Sequence, residues 1–77
     1  MSSFGERLKQ FRKERGLTQE RLATMASMSE NAIRYIERRG YRPRLANANK
    51  LALALDVELK DLLGNDYEQT RISRKRH

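Results

Sequence analysis

Apolar positions along the chain recur at the three- and four-residue intervals of an α-helix nearly throughout. Phe4, Leu8 and Phe11 mark one face of a first helix, which Gly16 terminates. Thr18 then stands at an N-cap position before "QERLATMA", whose Leu22, Ala23 and Ala26 face inward together. Ser29 is placed to cap "ENAIRYIERR", with Ala32, Ile33 and Ile36 as its buried stripe. Gly40 and Pro43 close that helix and forbid its continuation. Leu45, Ala48, Leu51, Ala52 and Leu55 make a fourth helix, and Val57, Leu59, Leu62 and Leu63 a short fifth stopped by Gly64. No stretch of useful length alternates with period two. The pattern predicts an all-α fold of five short helices over residues 1–64, followed by a polar, basic tail at 65–77.

Size and composition narrow the class. Seventy-seven residues make one domain at most, and a chain this short buries only about 60% of its unfolded surface. Small cores of that kind suit a compact helical bundle, unless disulfides or a metal support the fold. There is no cysteine, and the single histidine is the last residue, His77, so no metal site and no cofactor are expected. The absence of cysteine fits a reducing compartment. No apolar run approaches the roughly 18 residues of a membrane span. Residues 1–10 are too charged for a signal peptide, and a soluble, cytoplasmic protein without a membrane partner is the expectation. There is also no Gly-rich phosphate loop, metal-ligand cluster or Ser/His/Asp set, so no catalytic residue is assigned.

Charge adds a partner. The formal net charge is +7. Residues 1–64 carry 13 basic and 8 acidic side chains, or +5, and residues 65–77 carry 4 and 2, adding +2. Most of the excess therefore lies in the part expected to fold. Within residues 30–44, five arginines stand against Glu30 and Glu37, and the basic loop "RRGYRPR" falls in this segment. This balance points to a polyanion. Alone it fits a ribosomal or membrane-surface protein equally well.

The informative element is "QERLATMASMSENAIRYIER", residues 19–38. It places small Ala23 in one helix, apolar Met28 after a turn, and branched Ile33 and Ile36 in the next. Two short helices crossing steeply need a small side chain where their axes approach and branched ones to wedge the angle. The outer face of the second helix, carrying Glu30, Asn31, Arg34 and Tyr35 and then Arg38, is left to enter a major groove.

"GLTQERLATMA", "MSENAIRYIER" and "RPRLANANKLALALDVELKDLL" together resemble the Cro/repressor-type helix-turn-helix regulators, the XRE or lambda-repressor-like family. The resemblance covers about residues 4–63. It implies a five-helix domain that binds double-stranded operator DNA as a two-fold homodimer. The chain is too short for the family's added effector domains, so no small-molecule ligand is expected. One departure is Ser27, where the family usually has glycine; at positive φ a serine costs about 1 kcal/mol.

The resemblance and the chemistry of the side chains give the candidate residues their roles. Asn31 can pair both amide groups with adenine, or only support the helix start. Arg34 can fork onto guanine, or reach a phosphate. Tyr35 can meet a thymine methyl or a backbone oxygen, or be an ordinary surface tyrosine. Glu30 can accept from cytosine N4, or complement the helix dipole. Gln19 reaches a phosphate in the family, with an exposed first-turn residue as the alternative. Ser29, Arg38, Arg39, Arg42 and Arg44 are assigned to the DNA backbone, and relatives with an arginine in this loop suggest a minor-groove visit for Arg44. The resemblance also implies that Glu37 faces inward and pairs with Arg12; both as surface charges is the alternative. The tail is a second phosphate-contacting arm or a solubilising end. Leu59, Leu62, Leu63, Tyr67 and Ile72 can supply a dimer surface, with the leucines shared between core and interface.

Two rivals remain at this stage. The same fold can hold a protein partner, as an antitoxin-like module does. An RNA reader needs aromatic platforms, and only Phe4, Phe11, Tyr35, Tyr41 and Tyr67 offer one.

Overall fold

The structure is a computed structural model and describes residues 3–64. Helices run over Phe4–Glu14 (α1), Gln19–Met25 (α2), Glu30–Arg39 (α3) and Leu45–Leu55 (α4), with a fifth helical segment at 59–64 (α5). No strand occurs among the described residues. The all-α, five-helix expectation holds. The proposed tail at 65–77, with Tyr67 and Ile72, lies outside the described residues.

Local chemistry sets the boundaries. Ser3, Thr18 and Ser29 are the N-caps of α1, α2 and α3, and each side-chain oxygen accepts from the backbone N–H three residues on. At α1 the reciprocal bond is also present, from Ser3 N–H to the Glu6 carboxylate at 3.0 Å, which completes a capping box. The α2 C-terminus closes through two bonds, Met28 N–H to Ala23 O at 2.9 Å and Ser27 N–H to Thr24 O at 3.2 Å. This double closure requires a left-handed residue between helix and exit. Ser27 occupies that place with φ 57°, so the backbone demand for glycine is real and serine meets it at a cost. Gly40, φ 70°, ends α3 with its N–H on Ile36 O at 3.0 Å.

Twelve side chains form one buried cluster drawn from every helix: Phe4 and Leu8, Leu22 and Ala23, Ala26, Ile33 and Ile36, four residues of α4, and Leu62. Burial of each large member contributes about 1.5–3 kcal/mol. The α3 helix packs on both α1 and α2, and α4 packs on α2. Recognition-helix candidates on α3 are thereby held from behind by two elements.

One expectation needs correction: Ala32, expected on the buried stripe of α3 with Ile33 and Ile36, is only partly buried. Leu45, in helical phase with the buried residues of α4, is 54% exposed; as the first residue of the helix it precedes the turn that packs. Phe11 is only partly buried, at the rim of the cluster. Pro43, which closes α3, is itself buried. A further determinant had no signal in the apolar pattern: a Cβ at Gly5 would collide with the carbonyl oxygen of Ile36. Here α1 and α3 approach backbone to backbone, and only glycine permits it.

Candidate nucleic-acid interface

The interface is built around a buried ion pair. Arg12 on α1 donates through Nε to Glu37 Oε2 at 2.7 Å and through Nη2 to Oε1 at 3.0 Å. Its remaining terminal nitrogen donates to Leu17 O in the α1–α2 loop at 2.8 Å. The Glu37 side chain is 4% exposed and that of Arg12 10%. Glu37 also accepts from Gln19 Nε2 at 3.1 Å. One carboxylate on α3 thus ties together α1 and the first residue of α2, with the loop between them fixed by the same arginine. Such fork-on-carboxylate geometry is the strong, directional form of an ion pair. It fixes where α3 sits relative to the N-terminus of α2.

That N-terminus opens onto a groove of about 360 Å³ lined by Lys9, Gln19, Arg34, Glu37 and Arg38. The Glu37 carboxylate is already neutralised by Arg12, so Lys9 and Arg38, with Arg34 beside them, leave the groove positive. The amide of Gln19 has one N–H on Glu37 and a second available to a ligand. An anion is the ligand this arrangement suits. Lys9 was not singled out from sequence. It lies three residues before Arg12 on α1, one step around the same helical face, and that spacing was the signal that would have found it.

The outer face of α3 carries the side chains assigned to bases. Asn31, Arg34 and Tyr35 are exposed and Glu30 partly so, while Ile33 and Ile36 behind them are buried. Arg34 is not isolated. It donates to Glu30 Oε2 at 2.7 Å and to Asn31 Oδ1 at 3.3 Å, so three of the four side chains assigned to bases form one linked cluster. Ser29, whose oxygen accepts from Ala32 N–H at 3.0 Å, keeps its hydroxyl hydrogen for an outside acceptor.

The loop after α3 adds cations and an aromatic pair. Arg38, Arg39, Arg42 and Arg44 are all exposed. The rings of Tyr35 and Tyr41 lie 5.3 Å apart at a 52° tilt, and the Arg39 guanidinium sits 5.9 Å over the Tyr35 ring, within cation–π range. Tyr41 therefore braces a residue of the outer face of α3 from the loop. Arg44 precedes α4 without a side-chain cap bond, leaving the first N–H groups of that helix beside it. Among the described residues no group of three or more His, Cys, Asp or Glu is placed to hold a metal ion, and no helix is long and apolar enough to cross a membrane.

The comparisons with known proteins agree with this arrangement. The helix-turn-helix family matches residues 8–62. The immunity repressor protein of Bacillus phage phi105 is 39% identical over 62 residues, covering 80% of this chain and 43% of its own length. The HTH-type transcriptional repressor RghR of Bacillus subtilis strain 168 is 43% identical over 65 residues, covering 82% of this chain and 47% of its own. The chain thus spans less than half the length of either relative. A crystal structure of the P22 c2 repressor protein in complex with a synthetic operator superimposes with a TM-score of 0.76 at 32% identity, over 82% of this chain and 96% of that one. With the capped helices, the tight α2–α3 turn and the match over most of its length, the chain belongs to the helix-turn-helix family, of the Cro/repressor type.

Proposed function

We propose that this protein is a DNA-binding transcriptional regulator without enzymatic activity, a repressor or autoregulator that reads double-stranded operator DNA as a homodimer. Residues 1–64 are the DNA-binding domain, and α3 enters the major groove. The observation that carries this is the division of α3. Its inner face is locked by Ile33, Ile36 and Glu37, while Asn31, Arg34 and Tyr35 stand exposed among cations. Asn31, Arg34 and Tyr35 meet base edges. Lys9, Gln19, Ser29, Arg38, Arg39 and Arg42 hold phosphates, and Arg44 reaches the minor groove. Family members named as repressors, one of them solved with a synthetic operator, support the reading.

A homodimer follows from reach. One α3 covers only a few base pairs, and two-fold pairing doubles the site. Selection from random duplex DNA, with RNA as competitor, tests it. The expected product is a pseudo-palindrome with half-site centres roughly 10 bp apart. An asymmetric consensus bound by one protomer contradicts the dimer, and preferential recovery of RNA contradicts the DNA reading.

A further inference from the structure

The geometry points to Glu30 as a positioning residue that acts through Arg34, setting guanine preference without itself reading a base. This rests on the DNA-binding reading above.

Glu30 is the first residue of α3, directly after the Ser29 cap. Helix dipole and cap both favour a carboxylate there, so its position is fixed independently of any partner. Arg34 lies one turn later, and its guanidinium donates to Glu30 Oε2 at 2.7 Å. The other terminal nitrogen donates to Asn31 Oδ1 at 3.3 Å. Two bonds to two different nitrogens fix the guanidinium plane, not merely its location. Arg34 is otherwise a long side chain, 48% exposed, with many rotamers to lose on binding. Of its five N–H donors, three remain after these bonds, enough for a bidentate fork onto guanine O6 and N7.

The alternative for Glu30, accepting directly from cytosine N4, competes with this geometry. Its Oε2 accepts from Arg34, which leaves Oε1 for any direct contact, and an acid presented alone among phosphates is repelled. Pairing removes that repulsion while keeping the carboxylate in the groove. An exposed pair of this kind adds little to folding stability, which leaves orientation as its consequence. Asn31 shares the same guanidinium, so Asn31 and Arg34 read as a coupled unit.

The test uses the operator recovered by selection and every single-base-pair variant of one half-site, titrated by fluorescence anisotropy with wild type, Glu30→Ala, Glu30→Gln, Arg34→Ala and the Glu30→Ala/Arg34→Ala double variant. Glu30→Ala should lose on the order of tenfold in guanine preference at the base pair where Arg34→Ala acts, and nowhere else. Glu30→Gln, which keeps a neutral acceptor, should recover part of that preference. The double variant should be no less selective than Arg34→Ala alone. Thermal unfolding of Glu30→Ala should stay within a few degrees of wild type, separating orientation from folding. Relaxation at a base pair different from the Arg34 position means that Glu30 reads a base itself and overturns the proposal. So does unchanged selectivity, or a uniform gain of affinity for all sequences. A wild type without sequence preference overturns the DNA-operator reading instead, and this proposal with it.

Discussion

Replacing Glu37 by alanine should be among the most damaging single changes in the protein. The carboxylate is 4% exposed and accepts three hydrogen bonds, from Arg12 Nε and Nη2 and from Gln19 Nε2. Its removal leaves the Arg12 guanidinium buried with only Leu17 O as a partner. Stranding one member of a buried pair costs about 3–5 kcal/mol. A domain of this size has a total stability of roughly 4–11 kcal/mol, so the variant retains little margin. With each kcal/mol worth about 4–8 °C in a small domain, the midpoint should fall by at least about 12 °C. Removing both members tells cost from benefit. The Arg12→Met/Glu37→Leu double variant takes two charges out of the interior together and should recover most of the loss. Thermal and urea unfolding followed by circular dichroism measures all of these, with Arg12→Met and Glu37→Leu as the single variants that complete the double-mutant cycle. The double variant should nevertheless bind DNA more weakly, because Gln19 loses the carboxylate that holds its amide. A Glu37→Ala midpoint within about 2 °C of wild type would refute the reasoning, as would strict additivity around the cycle.

Other expectations rest on separate features. Gly5→Ala should destabilise by about 1–3 kcal/mol in urea unfolding, because its Cβ meets the backbone of α3; unchanged stability contradicts the close approach. Ser27→Gly should raise stability by about 1 kcal/mol, since Ser27 holds φ 57° in the turn; an unchanged or lowered midpoint means that the serine side chain compensates. Arg42→Ala should weaken all duplexes similarly and lower the salt slope by about one unit. Arg44→Ala should also lose preference for A·T pairs that α3 does not touch; unchanged affinity and salt slope in Arg42→Ala/Arg44→Ala make the loop only a turn.

The parts of the fold that were legible in the sequence are those set by neighbours along the chain. Thr18, Ser29, Gly40 and Gly64 punctuate helices through local backbone chemistry, and Ile33 and Ile36 announce a buried face through spacing alone. The Ser3–Glu6 capping box was equally readable, as serine three residues before glutamate, yet the apolar pattern draws the eye to Phe4 instead. Leu45 shows the limit of periodicity: it has the right phase, yet at the start of α4 it is 54% exposed. Gly5 could not be read, because its constraint comes from the Ile36 carbonyl 31 residues away. The site divides in the same way. The candidates on α3 followed from one helix face. The bond from Gln19 to Glu37 spans 18 residues, and the meeting of Tyr35 with Tyr41 depends on how the loop folds back. Asn31 and Arg34 were read as separate contacts; their side chains are hydrogen-bonded to each other, which only the folded helix reveals.

Titrating wild type and Arg34→Ala against the selected operator and against random duplex of equal length asks most directly whether α3 reads bases. Arg34→Ala should lose roughly 1–3 kcal/mol on the operator, relax preference at one base pair, and leave random duplex affinity nearly unchanged. Equal weakening on both DNAs would place Arg34 on the phosphate backbone and contradict the assignment of α3 as the reading helix.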